Sequence, residues 1–273
     1  MLVITGGAGF IGSCLVARFN GLGREDIVVV DHLEKEDPKQ KNLAGKKIQD
    51  YLDKDAFLDR IRAGRWDTAT EGIIHMGACS STTLQDEAYF EKNNFEYTRH
   101  LAQWSVKNGV RFIYASSAAT YGDGAFGYSD EDEVTRKLKP LNFYGLSKHK
   151  FDLWTLENHL TDKIVGLKFF NVFGPNEYHK GEMRSVVAKA YGRVRQEGAM
   201  ALFKSYRPEY ADGEQKRDFI YVKDCAEVVW WLLEHPEVNG IYNLGRGRAQ
   251  SWNELAAAVF TAMERPFAVE YID

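Results

Sequence analysis

Tyr144-Gly145-Leu146-Ser147-Lys148 sets a phenol and an amine four residues apart. On a helix such a pair shares one face. An ammonium beside a phenol favours the phenolate and draws its titration down from about 10 towards the working range. That makes Tyr144 a candidate acid/base for a carbinol proton, and it leaves Lys148 able to bond a ribose as well. Ser117, in the run Ala115-Ser116-Ser117-Ala118-Ala119-Thr120-Tyr121-Gly122, follows an apolar strand pattern. A residue there falls at the carboxyl edge of a sheet, where ligands bind, and its hydroxyl can bond the reacting oxygen. A lone Y-x-x-x-K is common by chance, so the pair needs a cofactor site to carry weight.

Thr5-Gly6-Gly7-Ala8-Gly9-Phe10-Ile11-Gly12 supplies one. It fits G-x-x-G-x-x-G, and from Gly7 also G-x-G-x-x-G. Such glycines make a tight turn, let backbone approach a pyrophosphate and let a helix pack closely on a strand. The helix N-terminus then offers unpaired N–H groups and a partial positive charge. Asp31 ends the next apolar run, where a carboxylate meets an adenosine ribose. These residues leave NAD and NADP open: Asp31 repels a 2′-phosphate, whereas His32, Lys35 and Lys39 can neutralise one. Asn93, expected at the start of its helix, either bonds the cofactor or caps.

The elements that position these residues alternate. Strands are expected at Leu2–Thr5, Ile27–Asp31, Gly72–His75, Arg111–Tyr114 and Val165–Phe170. Helices are expected at Phe10–Leu22, Asn93–Lys107 and about Tyr144–His159. Strands apolar throughout are those buried on both faces. The reading is an α/β, Rossmann doubly wound parallel sheet with a smaller C-terminal substrate lobe. The domains are expected at 1–171 and 172–273, with some later segments returning to the first. Ser205–Arg217 reads as a long loop, Asp130–Glu133 as a solvated loop, and Trp230–Leu233 as helix core or a subunit contact.

Composition excludes several classes. The chain has 273 residues, a formal net charge of −4 and 44% hydrophobic residues. Near-balanced charge gives no footprint for nucleic acid or an anionic membrane. Cys14, Cys79 and Cys225 are scattered, and no signal or spanning segment is evident, so a reduced, cytoplasmic protein is expected. No Cys/His spacing suits a metal.

Together the glycine turn, Asp31, His75-Met76-Gly77-Ala78, Ser117, Tyr144/Lys148 and Arg217-Asp218-Phe219-Ile220-Tyr221-Val222-Lys223-Asp224 resemble the extended short-chain dehydrogenase/reductases that act on nucleotide-diphosphate sugars. Gly77-Ala78-Cys79-Ser80-Ser81-Thr82-Thr83, Ser116–Gly122 and Asn171–Met183, with its His179-Lys180-Gly181, are similar to the group that inverts C6 of an ADP-linked heptose. The resemblance implies NADP, with NAD possible, a transient 6-ketone, and a place in lipopolysaccharide core precursor synthesis. It implies a homo-oligomer, by resemblance a pentamer, that takes a small ADP-heptose substrate.

By the same resemblance Tyr144 and Lys180 are the acid/base pair, facing each other across the sugar, with Ser117 and Lys148 assisting. Cofactor contacts are expected from Gly6, Gly9, Phe10, Ile11, Gly12, Asp31, His32, Lys39, Lys54, Met76, Gly77, Ala78, Cys79, Ser80, Asn93, Tyr144, Lys148, Val172 and Lys180. Substrate contacts are expected from Ser117, Asn171, Glu182, Lys189, Phe203, Lys204, Ser205, Tyr206 and Arg217. Glu182 stands where some members carry serine, and Lys189 where some carry histidine. Members also continue beyond Asp273, including a tyrosine expected to touch substrate, so a truncated substrate lobe is expected. The competing readings are another sugar-nucleotide 4-epimerase or reductase, or a non-catalytic NADP-sensing regulator. A 4,6-dehydratase would carry Asp-Glu where Ala118-Ala119 stand.

Overall fold

The computed structural model describes residues 1–273. In chain order its elements are β1 (Leu2–Thr5), α1 (Phe10–Gly21), β2 (Ile27–Asp31), β3 (Asp50–Asp53), α2 (Lys54–Arg62), β4 (Gly72–His75), α3 (Glu87–Phe90), α4 (Tyr97–Asn108), β5 (Arg111–Ser117), α5 (Asp132–Thr135), α6 (Phe143–Glu157) and β6 (Val165–Phe169). There follow β7 (Asn171–Phe173), α7 (Val186–Glu197), β8 (Met200–Phe203), β9 (Lys216–Tyr221), α8 (Val222–Glu234), β10 (Gly240–Leu244), β11 (Ala249–Ser251), α9 (Trp252–Ala262) and β12 (Val269–Ile272).

Two compact units result. The first comprises 1–169 and 223–244, the second 170–222 and 245–273. The first unit holds a seven-stranded sheet in the order β10-β6-β5-β4-β1-β2-β3, parallel at every pairing. The apolar runs Leu2–Ile4, Ile27–Val30 and Ile73–Ile74 are buried on both faces because helices cover the sheet on each side. One core cluster joins Val3, Val28, Phe57, Ile73, Leu101, Phe112, Tyr114 and Phe151. With β1 and β4 adjacent, the strand order reverses there, and the crevice at that switch point is where open parallel sheets bind ligands.

The second unit pairs β9 with β7 in parallel and with β11 antiparallel, and β8 with β12 in parallel. Its own core packs Ala190, Val194, Met200, Leu202, Phe219, Leu255, Val259 and Phe260. Ser251 and Glu254 form a reciprocal capping box at the start of α9.

The expected elements are present, with shifted ends and two corrections. Asn93 does not begin a helix. The chain is already helical from Glu87, where the Asp86 carboxylate accepts the Tyr89 N–H at 2.9 Å; Asn93 lies in a π-helical turn, Glu91–Glu96, that runs into α4. The acidic run is not all loop, because Asp132 and Glu133 open α5, where acidic residues suit a helix N-terminus. On α8, Trp230 packs against Phe19 at 5.4 Å while Trp231 is exposed. No helix is long and apolar enough to cross a membrane.

Phe151 is buried between Tyr114, at 4.7 Å, and Trp154, at 5.3 Å. Phe151→Ala is expected to cost about 3–5 kcal/mol of stability, measured by denaturant unfolding; a loss below about 1 kcal/mol would contradict this packing.

Candidate active site

Parallel register brings the predicted residues of the first unit to one sheet edge. Thr5 pairs with Val30 on one side and His75 on the other, and His75 pairs with Tyr114. The glycine turn, Asp31, the 76–80 loop and Ser117 therefore leave the carboxyl ends of neighbouring strands. Gly6 has φ +65°, and a Cβ there would lie 2.7 Å from the Gly77 N. A Cβ on Gly12 would lie 2.2 Å from the Gly6 carbonyl oxygen. Gly9 precedes helix α1 as its cap, with no side-chain cap bond and no acid in the first turn. Its N–H groups and partial positive charge face the turn. This cradle, which any side chain would fill, suits a pyrophosphate.

Asp31 is built into the cradle. One carboxylate oxygen accepts the Ala8 N–H at 3.0 Å; the other accepts the His32 N–H at 2.8 Å and the Lys39 ammonium at 3.0 Å. Lys39 also bonds the His32 carbonyl at 2.6 Å, whereas Lys35 stays exposed. Lys54 and Asn93, distant in sequence, meet at 3.2 Å. Asn93 also bonds the Tyr89 carbonyl, within its own helical run.

The 76–80 loop is held in part by residues that the sequence motifs did not mark. Asn94 accepts the Cys79 N–H at 2.9 Å and donates to the Cys79 carbonyl and to Ser147 on α6, both at 3.0 Å. Asn42 donates to the Ala8 carbonyl at 3.0 Å and so steadies the glycine turn. His75 is fully buried, and burial together with the Lys148 charge holds it well below its usual range, so it is neutral. The Gly77 N–H donates to Thr5 Oγ1, which lies 2.6 Å from His75 Nδ1; Nε2 lies 2.8 Å from Thr98, whose hydroxyl donates to the Asn94 carbonyl. That direction of donation assigns the proton to Nε2. The motif His75-Met76-Gly77-Ala78 marked His75, whereas no spacing in the sequence marked Asn94 or Asn42.

Helix α6 presents Tyr144 and Lys148, with Asn142 capping it through the Gly145 N–H at 2.8 Å. The expected depression of the Tyr144 phenol is not found. Burial, with Cys79 adding to it, raises the phenol, and only the Ser117 hydroxyl pulls it down. The Lys148 ammonium is instead turned onto the Ala115 carbonyl at 2.6 Å. Burial lowers Lys148 to about 8 against the opposing pull of Asp152. Ser117 accepts the Ala119 N–H at 3.1 Å.

In the second unit, Lys180 lies on a short 3₁₀ segment, its N–H bonded to the Glu177 carbonyl at 3.0 Å. Burial lowers its ammonium and Glu177 raises it. The Glu177 carboxylate, only 2% exposed, accepts the Gly174 N–H at 3.2 Å, the Ser185 hydroxyl at 2.7 Å and the Ser185 N–H. It clasps both ends of the loop that carries Lys180, a role its lone charge in sequence did not reveal. Val172 pairs with Ile220 and Asn171 with Phe219; the Asn171 amide reaches the Asp218 carbonyl at 2.9 Å, beside Arg217.

Of the other expected substrate residues, Glu182 and Lys189 pair with each other at 3.0 Å, and Lys204 pairs with Asp273 at 2.8 Å. Ser205 is tied to Asp212 and Arg207. Phe203 and Tyr206 stand 70% and 89% exposed, so neither is core.

A glycine cradle on a parallel sheet with a tyrosine–lysine pair at the same edge defines a nicotinamide-dinucleotide epimerase or dehydratase. The chain belongs to the NAD dependent epimerase/dehydratase family, whose sequence profile matches residues 2–245. It is 54% identical over 273 residues to the ADP-L-glycero-D-manno-heptose-6-epimerase of Nitratidesulfovibrio vulgaris (strain DP4), covering 100% of this chain and 84% of that protein. The crystal structure of the Helicobacter pylori ADP-L-glycero-D-manno-heptose-6-epimerase is similar at a TM-score of 0.83 and 30% identity, over 99% of this chain and 84% of that one. A Thermus thermophilus UDP-glucose 4-epimerase in complex with NAD is similar at a TM-score of 0.74 and 26% identity, over 98% and 85%. Within its family the chain thus belongs to the heptose-epimerase branch.

Gly12→Ala is expected to abolish dinucleotide binding, read by titration calorimetry, because its methyl group forces the turn open. Unchanged affinity would show that the cradle is not the binding site.

Proposed function

We propose that this chain interconverts ADP-D-glycero-D-manno-heptose and ADP-L-glycero-D-manno-heptose at C6, with NADP held at the glycine turn. The observation that carries the redox half of this reading is geometric: Ser117 leaves the same sheet edge as the cradle, and α6, in the same unit, brings Tyr144 to the Ser117 hydroxyl and Lys148 to the Ala115 carbonyl. The names of its relatives support the sugar. NADP is supported by Lys39, whose ammonium lies on the Asp31 carboxylate and offsets the repulsion that Asp31 alone would exert on a 2′-phosphate.

A secondary alcohol carbon does not invert by proton loss from its hydroxyl. The dinucleotide supplies reversible hydride acceptance at C6. Between oxidation and reduction the 6-ketone turns within the site, and after that turn its oxygen no longer meets the same acid. Two residues then share the proton work, Tyr144 for one orientation and Lys180 for the other. Burial raises the Tyr144 phenol, and the Ser117 hydroxyl, which pulls it back down, is the group that eases its use as a base. Burial also eases proton release from Lys180. Ser117 hydrogen-bonds the oxygen at C6, and Arg217 suits the diphosphate through its planar fork. The resemblance supports a cytoplasmic homo-oligomer in lipopolysaccharide core precursor synthesis.

Incubation with an ADP-heptose, followed by NMR of the C6 configuration, tests the reading directly; substrate left unchanged by protein with bound dinucleotide would overturn it. Mass spectrometry of cofactor released on denaturation is expected to show NADP. Tyr144→Phe and Lys180→Ala are each expected to slow epimerisation about 100- to 10,000-fold while cofactor stays bound. Full activity in the Lys180 variant would remove the two-base scheme.

A further inference from the structure

Behind the tyrosine–lysine pair lies a buried group of charges that the reaction scheme does not use. Asp152 sits on α6 four residues beyond Lys148, hence on the same face. Both Asp152 and Lys168 are wholly inaccessible to solvent, and Lys148 is 4% exposed. The Asp152 carboxylate accepts the Tyr114 hydroxyl at 2.9 Å on one oxygen and the Ser116 hydroxyl at 2.7 Å on the other. The Lys168 ammonium lies 3.6 Å from the second oxygen. Strand register explains the arrangement, since Tyr114 faces Gly166 and Ser116 faces Lys168 across β5 and β6. A Cβ at Gly166 would lie 2.4 Å from the Tyr114 hydroxyl, so only glycine leaves room for that phenol.

Tyr114 and Ser116 flank Ala115, the residue whose carbonyl receives Lys148. One carboxylate therefore clamps β5 on both sides of the lysine's acceptor. We propose that Asp152 is a positioning residue for the catalytic pair, its buried negative charge holding Lys148 protonated on the Ala115 carbonyl while Lys168 supplies the counter-charge. This rests on the assignment of Lys148 to the redox site.

The other groups around it are accounted for. Lys168 also meets Thr120 at 3.4 Å, Thr135 at 3.2 Å and the Tyr121 ring at 4.8 Å. Asp130 acts on Lys168, and Asp132 on Tyr114, from the α5 side. His149, beside Lys168, is lowered to about 4 by burial and that charge, and His75, beside Lys148, is neutral as well. Asp152 is thus the carboxylate that opposes the desolvation of Lys148. Removing it leaves burial unopposed, which pushes the Lys148 ammonium towards losing its proton.

The test follows Lys148 itself by NMR titration of protein carrying isotope-labelled lysine, its resonance assigned with Lys148→Arg. Asp152→Asn is expected to move the Lys148 midpoint down by about one pH unit. Ser116→Ala removes a hydrogen bond that keeps the Asp152 carboxyl ionised against burial, so the carboxyl takes up its proton more readily and the Lys148 midpoint is expected to fall the same way by less. The alkaline limb of kcat is expected to follow both. A Lys148 midpoint unmoved in Asp152→Asn, or in Ser116→Ala should the first variant not fold, with kcat lowered equally at every pH, would reduce Asp152 to packing and overturn the inference. The titration needs no substrate. Wild-type protein that holds dinucleotide but leaves ADP-heptose unchanged would sink the proposed reaction separately.

Discussion

A methyl group on Gly12 would stand 2.2 Å from the Gly6 carbonyl oxygen, so α1 can dock on the turn only if that position carries no side chain. The dependence spreads outward from this contact. Gly6 backs onto Gly77, the Ala8 N–H is taken by Asp31, and the Ala8 carbonyl is taken by Asn42. Three loops that leave β1, β2 and β4 are thereby locked into one backbone surface at the point where the strand order reverses. A phosphate bound there meets backbone N–H groups and a helix end, not flexible cations.

Two styles of buried polar wiring support that surface. Around His75 the wiring is neutral: two hydroxyls and an imidazole pass hydrogen bonds in a single direction between β1, the 76–77 loop and α4. Around Asp152 it is ionic, with opposite charges at zero exposure and each carboxylate oxygen occupied by a hydroxyl. Buried ion pairs repay their desolvation only when the remaining bonds are satisfied. Here they are, which accounts for a lysine inside β6, between apolar neighbours.

Much of this was legible in the sequence. Continuous apolar runs such as Ile27–Val30 announce strands buried on both faces, and the glycine spacing followed by Asp31 announces the cradle. The proximity of Lys54 to Asn93 was legible only through the family resemblance. What escaped notice did so for physical reasons. Asn94 and Asn42 act through long-range bonds to backbone, of which local spacing carries no trace, and Glu177 closes its own loop in a way that its lone charge does not announce. The Asp152–Lys168 pair depends on strand register, which no motif encodes. The Tyr144 phenol departs from expectation because proximity in sequence to Lys148 says nothing of burial, nor that the ammonium would turn to the Ala115 carbonyl.

The π-helical turn at Glu91–Glu96 is in effect an ordinary helix carrying one residue too many. Within it two adjacent asparagines serve separate clients: Asn93 joins Lys54, while Asn94 reaches Cys79 and Ser147. Excising a single residue there would restore regular pitch and swing one amide by about 100° away from its partner. The segment is therefore a place where chain length itself, more than the identity of any side chain, is under constraint.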